Sequence, residues 1–320
     1  MNRNALSRPV AAGALLTALA LATPAALAGC GGDGGTAGGL AGSVLVDGSS
    51  TVAPLSKAAA DIYREEQPKV NITVGTSGTG GGFEKFCKGE TDVSNASRQI
   101  KDSEKAACAA ANITYTELVV ANDALTVVVN KANTWSECLT TAQLKKVWDQ
   151  GSKVRSWKEV DPSFPDQRLD LFGPGTDSGT FDFFTAAING KEDRSRADYT
   201  ASENDNVLVQ GVAGSTGGLG YFGFTYFEEN ADKLKAVKVD GGGGCVAPSV
   251  AAAQDGSYRP LSRPLYIYVS NQAMASKPQV RSFVEFYAGH IDEIVEETRY
   301  VPLTAAQKAD LGAALDKAKG

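Results

Sequence analysis

Two strongly apolar runs, ALTVVVN at 124–130 and PLYIYVS at 264–270, govern what this chain can fold into. Neither shows the polar alternation of a half-exposed strand, so each is expected to lie buried in a sheet. Around them, short strand patterns alternate with helical ones. SVLVDGSST, NITVGT and TDVSNASR each run into a helical stretch, as does LDLFG, and strands at 217–222 and 236–240 and a long helical region after Pro278 complete the pattern. Such alternation predicts an α/β protein with mostly parallel sheets. The two apolar runs cut it into a first lobe, a second lobe and a return to the first. The expected lobes are 44–123 with 265–320, and 124–264, with a ligand cleft between them and two crossover strands.

Three helix starts share one grammar. DGSST at 47–51 precedes VAPLSKAAADIYREE, GTSGTGGG at 75–82 precedes FEKFCKGE, and GPGTDSGT at 173–180 precedes FDFFTAAING. The first turn of a helix has unpaired N–H groups and a partial positive charge, and glycine lets that backbone approach a ligand closely. Serine and threonine hydroxyls add donors without a counter-charge. One such loop commonly just caps its helix. Three of them, split between two lobes, suit a tetrahedral oxyanion held at a point of convergence.

Charge and motifs remove other classes. The formal charge is −6, with 42% hydrophobic and 21% charged residues, so no basic field favours nucleic acid. His290 is the single histidine and lies in a helical stretch far along the chain from every glycine loop, which leaves a Ser-His-Asp site without its base. No GxSxG elbow, GxxxxGK[ST] loop or CxxC pair occurs, and nothing singles out a serine–lysine hydrolase. The expectation is a binding protein that is not an enzyme and takes no metal or cofactor.

The first thirty residues, MNRNALSRPVAAGALLTALALATPAALAGC, read as a secretory signal with an apolar core too short for an ordinary span. Leu27-Ala28-Gly29-Cys30 resembles a bacterial lipobox, which implies cleavage before Cys30 and a lipid on its thiol. The glycine-rich 31–43 would then be a tether reaching a few tens of ångströms. Removing residues 1–29 of 320 leaves about 290, enough for two domains of ordinary size. Cys87, Cys108, Cys138 and Cys245 remain, an even number that suggests two disulfides with three possible pairings. The expected pairing is Cys87–Cys108 and Cys138–Cys245.

DGSSTVAP, GTSGTGGGFEKFCKGETDVSNASR, DALTVVVN, GPGTDSGTFDFF and NVLVQGVAGSTGGLGYFGF together resemble the PstS phosphate-binding proteins, and the likeness covers nearly all of 43–302. It is nearest the branch with KFC…ETDVSNASR and SRPLYIYV. The resemblance implies the two-lobed periplasmic-binding-protein fold (type II), inorganic phosphate buried between the lobes, and delivery to an ABC permease by a monomer anchored outside the cell membrane. It implies that Ser50 gives a hydroxyl and Thr51 a backbone N–H. Ser77 or Thr79 donates, depending on which end of GTSGTGGG is aligned, and Ser178, Gly179 and Thr180 donate from the second lobe.

Two positions depart from that family's best-known pattern. Arg98 stands where an acidic residue ends the DVSNAS strand, and Pro174 stands where an arginine precedes the DSGT serine by four residues. A swap is expected, with Arg98 supplying the cation, since its fork matches two phosphate oxygens; its alternative is a surface pair with Asp102. Phosphate at neutral pH keeps protons that sulfate lacks, so a buried carboxylate would accept from one and repel the other. Asp123, just before the buried crossover, is the first candidate for that acid, Asp177 the second, with Glu203 and Asp205 behind them. Rival functions are a receptor for sulfate or another tetrahedral oxyanion, a phosphate-ester hydrolase, and an adhesin or sensor on the same fold.

Overall fold

The structure, a computed structural model, describes residues 39–176, 178–202 and 204–319. The signal stretch, Cys30, the tether before residue 39, Asp177 and Glu203 lie outside the described residues.

Among the described residues twelve strands form two sheets: β1 (Gly42–Gly48), β2 (Val70–Val74), β3 (Val93–Ala96), β4 (Tyr115–Asn130), β5 (Cys138–Thr140), β6 (Asp170–Gly173), β7 (Thr200–Ala201), β8 (Gly218–Gly223), β9 (Leu234–Ala236), β10 (Lys238–Asp240), β11 (Cys245–Val246) and β12 (Ser262–Ser270). The large sheet runs β2-β1-β3-β12-β4-β8-β6-β7, with β9 also on β4; the small one runs β11-β10-β5.

Most of the expected parallel pairing is there, and the exceptions have one cause. β1 is parallel to β2 and β3, and β6 is parallel to β7 and β8. β12 and β4 run antiparallel to each other and to the strands they meet. Strands joined by helices within a lobe come out parallel, whereas strands that carry the chain from one lobe to the other and back run in opposite senses.

β4 makes the outward crossing within one unbroken strand. Tyr115–Ala124 pairs with β12, and Leu125–Val129 pairs with β8. The return is made just ahead of β12, where Leu125 N donates to Leu261 O at 2.9 Å and Ser262 faces Ala124. The apolar run at 264–270 therefore lies beyond the crossing, paired with β3 and the first half of β4.

Each half of the sheet has its own core. Val44, Leu55, Tyr63, Val120, Ile267, Phe283 and Tyr287 pack into one cluster, and Leu125, Val129, Trp148, Trp157, Phe184, Tyr221 and Leu261 into another. Local sequence explains the helices between them. Pro54 opens Ala53–Glu66 in the first turn, where its missing N–H costs nothing, and Leu55, Ala58, Ala59 and Tyr63 turn inward. Thr140 and Gln143 cap Thr141–Trp148 reciprocally, at 3.1 Å and 2.9 Å, and its buried face is Leu144, Val147 and Trp148.

Both expected disulfides are present. Cys87–Cys108 joins the helices Gly78–Phe86 and Asp102–Ala110, and Cys138–Cys245 staples the two edges of the small sheet. Among the described residues no helix is long and apolar enough to cross a membrane.

Candidate functional site

The site begins where β1 ends. Gly48 has φ +137°, and a Cβ there would lie 2.2 Å from Asn95 O, so only glycine lets the chain leave β1 pressed against β3. Ser49 N then donates to Asn95 O at 2.9 Å, and the turn delivers Ser50 and Thr51 to the boundary between the lobes. There they meet the start of helix Gly179–Phe184, which continues as a π turn over Thr185–Asn189. Gly179 is in close contact, since a Cβ on it would fall 2.7 Å from Thr51 N. Thr51 Oγ1 donates to Gly179 O at 3.2 Å, and Ser50 Oγ donates to Asp182 Oδ2 at 2.8 Å. The expected donors of the two lobes are thus neighbours.

Behind Thr51 stands a buried ion pair. Arg263 faces Asp123 across β12 and β4, with Nε donating to Asp123 Oδ2 at 3.3 Å. Its Nη2 donates to Thr51 Oγ1 at 3.0 Å, and the guanidinium lies 3.6 Å over the Phe183 ring from the second lobe. Nη1 donates to no described residue, so part of the fork is unclaimed. Burial pushes the Asp123 carboxyl up, and Arg263 beside it offsets this only in part; burial pushes Arg263 down. Tyr300 closes the back, its hydroxyl donating to Thr51 O at 2.6 Å. Asp123, Thr180, Asp205, Arg299 and Tyr300 line a polar cavity of about 150 Å³.

The second serine-rich loop separates its two alternatives. Ser77 gives both its N–H and its hydroxyl to Asp47 Oδ1, at 2.9 Å and 2.7 Å, and Lys85 pairs with the other oxygen of the same carboxylate. Ser77 is therefore committed to holding the loop. Thr79 is buried beside Ser97, with 3.1 Å between hydroxyls, and Ser97 lines an open cavity of about 500 Å³ shared with Phe183 and Arg263. Thr79 therefore reaches that cavity only through Ser97.

Arg98 lines the same open cavity as Ser97 and Arg263, and it gives Nη1 and Nη2 to Glu104, both contacts at 2.8 Å, with Nη1 also on Gln99 O. Glu104 is fixed in turn because its carboxylate accepts Lys101 N at 2.8 Å at the start of helix Asp102–Ala110. The partner is Glu104 and not Asp102, which pairs with Lys105. The cation held against Thr51 is Arg263, which the sequence reading missed. The signal was available: Arg263 heads an apolar strand just as Asp123 precedes one, and a charge at such a place belongs in a cleft.

In the second lobe Ser178 Oγ accepts Thr180 N at 3.2 Å, the ordinary N-cap contact. Pro174, which stands in place of an arginine, uses its carbonyl to accept Tyr199 OH at 2.8 Å. Asp205 opens helix Asp205–Gly214 and lines the same cavity as Asp123.

Comparison with known proteins fits this arrangement. Residues 34–290 match the PBP superfamily domain. The chain is 51% identical over 265 residues to protein SphX of Synechococcus elongatus, covering 82% of this chain and 78% of that one. It is 39% identical over 294 residues to the phosphate-binding protein PstS of Staphylococcus saprophyticus, covering 91% and 90%. The chain belongs to the PBP superfamily, in the family of PstS and SphX. Among solved structures of this kind, a possible phosphate-binding protein from Planctomyces limnophilus is 49% identical, with a TM-score of 0.85 over 88% of this chain and 100% of that one. The two-lobed fold of the PBP superfamily accounts for the split sheet and paired cores.

Proposed function

We propose that this chain captures inorganic phosphate outside the cell membrane and delivers it to an ABC importer. The observation that carries the reading is the junction itself. A buried guanidinium with unclaimed donors, a buried carboxylate, and the Thr51 and Gly179–Thr180 helix starts of opposite lobes all meet at one place. That set suits a small oxyanion that still carries a proton. The name of the PstS relative, a phosphate-binding protein, supports the same ligand. In this reading Thr51, Thr79, Ser178, Gly179, Thr180 and Arg263 donate, and Asp123 accepts the proton. Lobe 44–123 with 265–320 and lobe 124–264 close on the anion by rotating about the two crossings, a population shift driven by contacts from both sides. The protein works as a monomer tethered through a lipid on Cys30.

Selectivity follows from Asp123. Phosphate can share its proton with a buried carboxylate, whereas sulfate has none to share and leaves two negative groups facing each other. Calorimetric titration of the phosphate-stripped chain with phosphate in a large excess of sulfate tests this. One-to-one binding that survives sulfate is expected; binding abolished by sulfate would make the protein a general oxyanion receptor instead.

A further inference from the structure

Arg299 ends helix Ile291–Thr298 in the left-handed region, with φ +60° and ψ +36°. Among the described residues three non-glycine positions hold a positive φ: Asn112, Asp193 and Arg299. Asparagine and aspartate tolerate it because their short side chains bond locally, and glycine is the usual residue where a helix stops in this way. An arginine there has neither excuse. Such strain persists where the surroundings hold it, and Arg299 is held from the other lobe. Thr225 Oγ1 donates to Arg299 O at 2.6 Å, and Arg299 Nη1 donates to Glu229 Oε2 at 2.6 Å. The guanidinium carbon lies 5.3 Å from the centre of the Tyr226 ring. All three partners belong to helix Phe224–Glu229, which follows β8.

The next three residues are fixed elsewhere. Tyr300 OH donates to Thr51 O at 2.6 Å, on the first anion loop. Val301 exchanges both backbone hydrogen bonds with Asn122, each at 2.9 Å, and Pro302 O accepts from Asn122 Nδ2 at 3.1 Å and Gln254 Nε2 at 2.9 Å. Asn122 directly precedes the outward crossing in β4, so Val301 and Pro302 are pinned where the lobes move least. Arg299 and its partners Thr225 and Tyr226 line the polar cavity of about 150 Å³ together with Asp123 and Thr180. The contact thus spans the cavity from one lobe to the other. Lobes that part around that cavity leave Val301 zipped to Asn122 and pull Arg299 off its helix. Resting on the phosphate reading above, we propose that Arg299 is a positioning residue that latches the two lobes over the bound anion, with Arg299–Pro302 as the strap that carries it. The Arg299 and Glu229 side chains are 46% and 52% exposed, and an ion pair that open is worth little alone. Here three contacts fall on one residue that the helix end and the strap have already ordered, so little side-chain freedom is lost on latching. The latch touches no ligand. It governs how long the anion is held, and not how fast it enters.

The test is the association and dissociation rates of phosphate with the full, phosphate-stripped chain, beside its unfolding midpoint and its radius of gyration by small-angle scattering. Arg299→Gly removes the side chain but suits the backbone, so the unfolding midpoint of the ligand-free chain should stay near that of wild type. Dissociation should be about three- to tenfold faster, with association within about twofold. Glu229→Gln should give part of that effect, and the double variant no more than Arg299→Gly alone. High salt should narrow the gap between wild type and Arg299→Gly. An Arg299→Gly chain that releases phosphate at the wild-type rate overturns the inference. So does one whose faster release comes with a lowered unfolding midpoint, or a double variant whose losses simply add. Those results leave the receptor reading standing. If the wild-type chain binds no phosphate, the receptor reading fails by itself and scattering decides the latch: Arg299→Gly should enlarge the ligand-free particle, and an unchanged radius overturns the latch as well.

Discussion

Arg98 and Arg263 each pair with a carboxylate and line one open cavity, and they differ in how the pair is made. Arg98 ends the β3 segment and meets Glu104 six residues on, in a two-pronged contact at 2.8 Å that uses the guanidinium edge a ligand would need. Arg263 begins β12 and meets Asp123, 140 residues earlier, through Nε alone at 3.3 Å, with Thr51 on Nη2 and Nη1 unclaimed by any described residue. The Arg98 pair is more open to water, its arginine and carboxylate side chains 32% and 16% exposed against 17% and 7% for Arg263 and Asp123. A well-made local pair takes up the end of its arginine's fork. A poorly satisfied buried pair holds donors in reserve, at a cost in stability that only a function repays.

The largest effect should follow from removing the reserved donors. Arg263→Ala should weaken phosphate binding about a hundredfold or more, since truncating one member of a buried charge pair costs about 2–5 kcal/mol. It should also destabilise the ligand-free chain by about 3–5 kcal/mol, because Asp123 is left buried without its partner. Arg263→Lys should recover part of the stability but little of the affinity, as an ammonium has no fork to offer Asp123, Thr51 and an anion together. Titration and chemical denaturation of the two variants check this. Wild-type affinity in Arg263→Ala would move the cation of the site elsewhere.

An intermediate effect separates the two pairs by the sign of their pH dependence. The Asp123 carboxyl is raised by burial, so the folded state holds its proton more tightly than the unfolded one. Its contribution is then fully present below the unfolded value and is lost as pH rises through the folded value. Glu104 is pushed up by burial but pulled below its usual value by Arg98 and the Lys101 amide. Its contribution is present above the unfolded value and is lost as pH falls through the folded value. Denaturation of the ligand-free chain across the acid range should therefore show Asp123→Asn removing a fall in stability toward neutral pH. Glu104→Gln should remove a fall toward acid. Slopes of the same sign in both variants would break the contrast.

How far the sequence reached follows the range of the interactions. The order of strands and helices was legible because apolar runs and capped helices are local patterns, and Leu144, Val147 and Trp148 are buried as their spacing predicts. Thr51, Gly179 and Thr180 were legible for a similar reason, since a small-residue turn before a helix announces its own geometry. Arg263 was obscured because its partners lie 140 and 212 residues away, at Asp123 and Thr51. Asp182 was obscured because a polar residue in a helix looks like a solvated one, until Ser50 from the other lobe is found on it 132 residues away. The choice between Ser77 and Thr79 turned on Asp47, a residue of the first loop that no pattern inside GTSGTGGG reveals.

The smallest effect is the one expected of Arg98. Three of its donors serve Glu104 and Gln99 O, and Glu104 keeps its hold on Lys101 N whether or not the arginine is present. Arg98→Ala should therefore cost about 1 kcal/mol or less, as partly exposed ion pairs do. Phosphate affinity should change less than about threefold at moderate salt, because a charge near the cavity mouth acts mainly on the rate of encounter and is screened. The measurement is the association rate at two salt concentrations beside the equilibrium constant. A drop in association rate that vanishes at high salt, with an unchanged dissociation rate, places Arg98 on the approach to the site. An affinity loss of about tenfold or more that persists at high salt would mean that the guanidinium leaves Glu104 when the anion arrives. The cation role would then be shared between the two arginines.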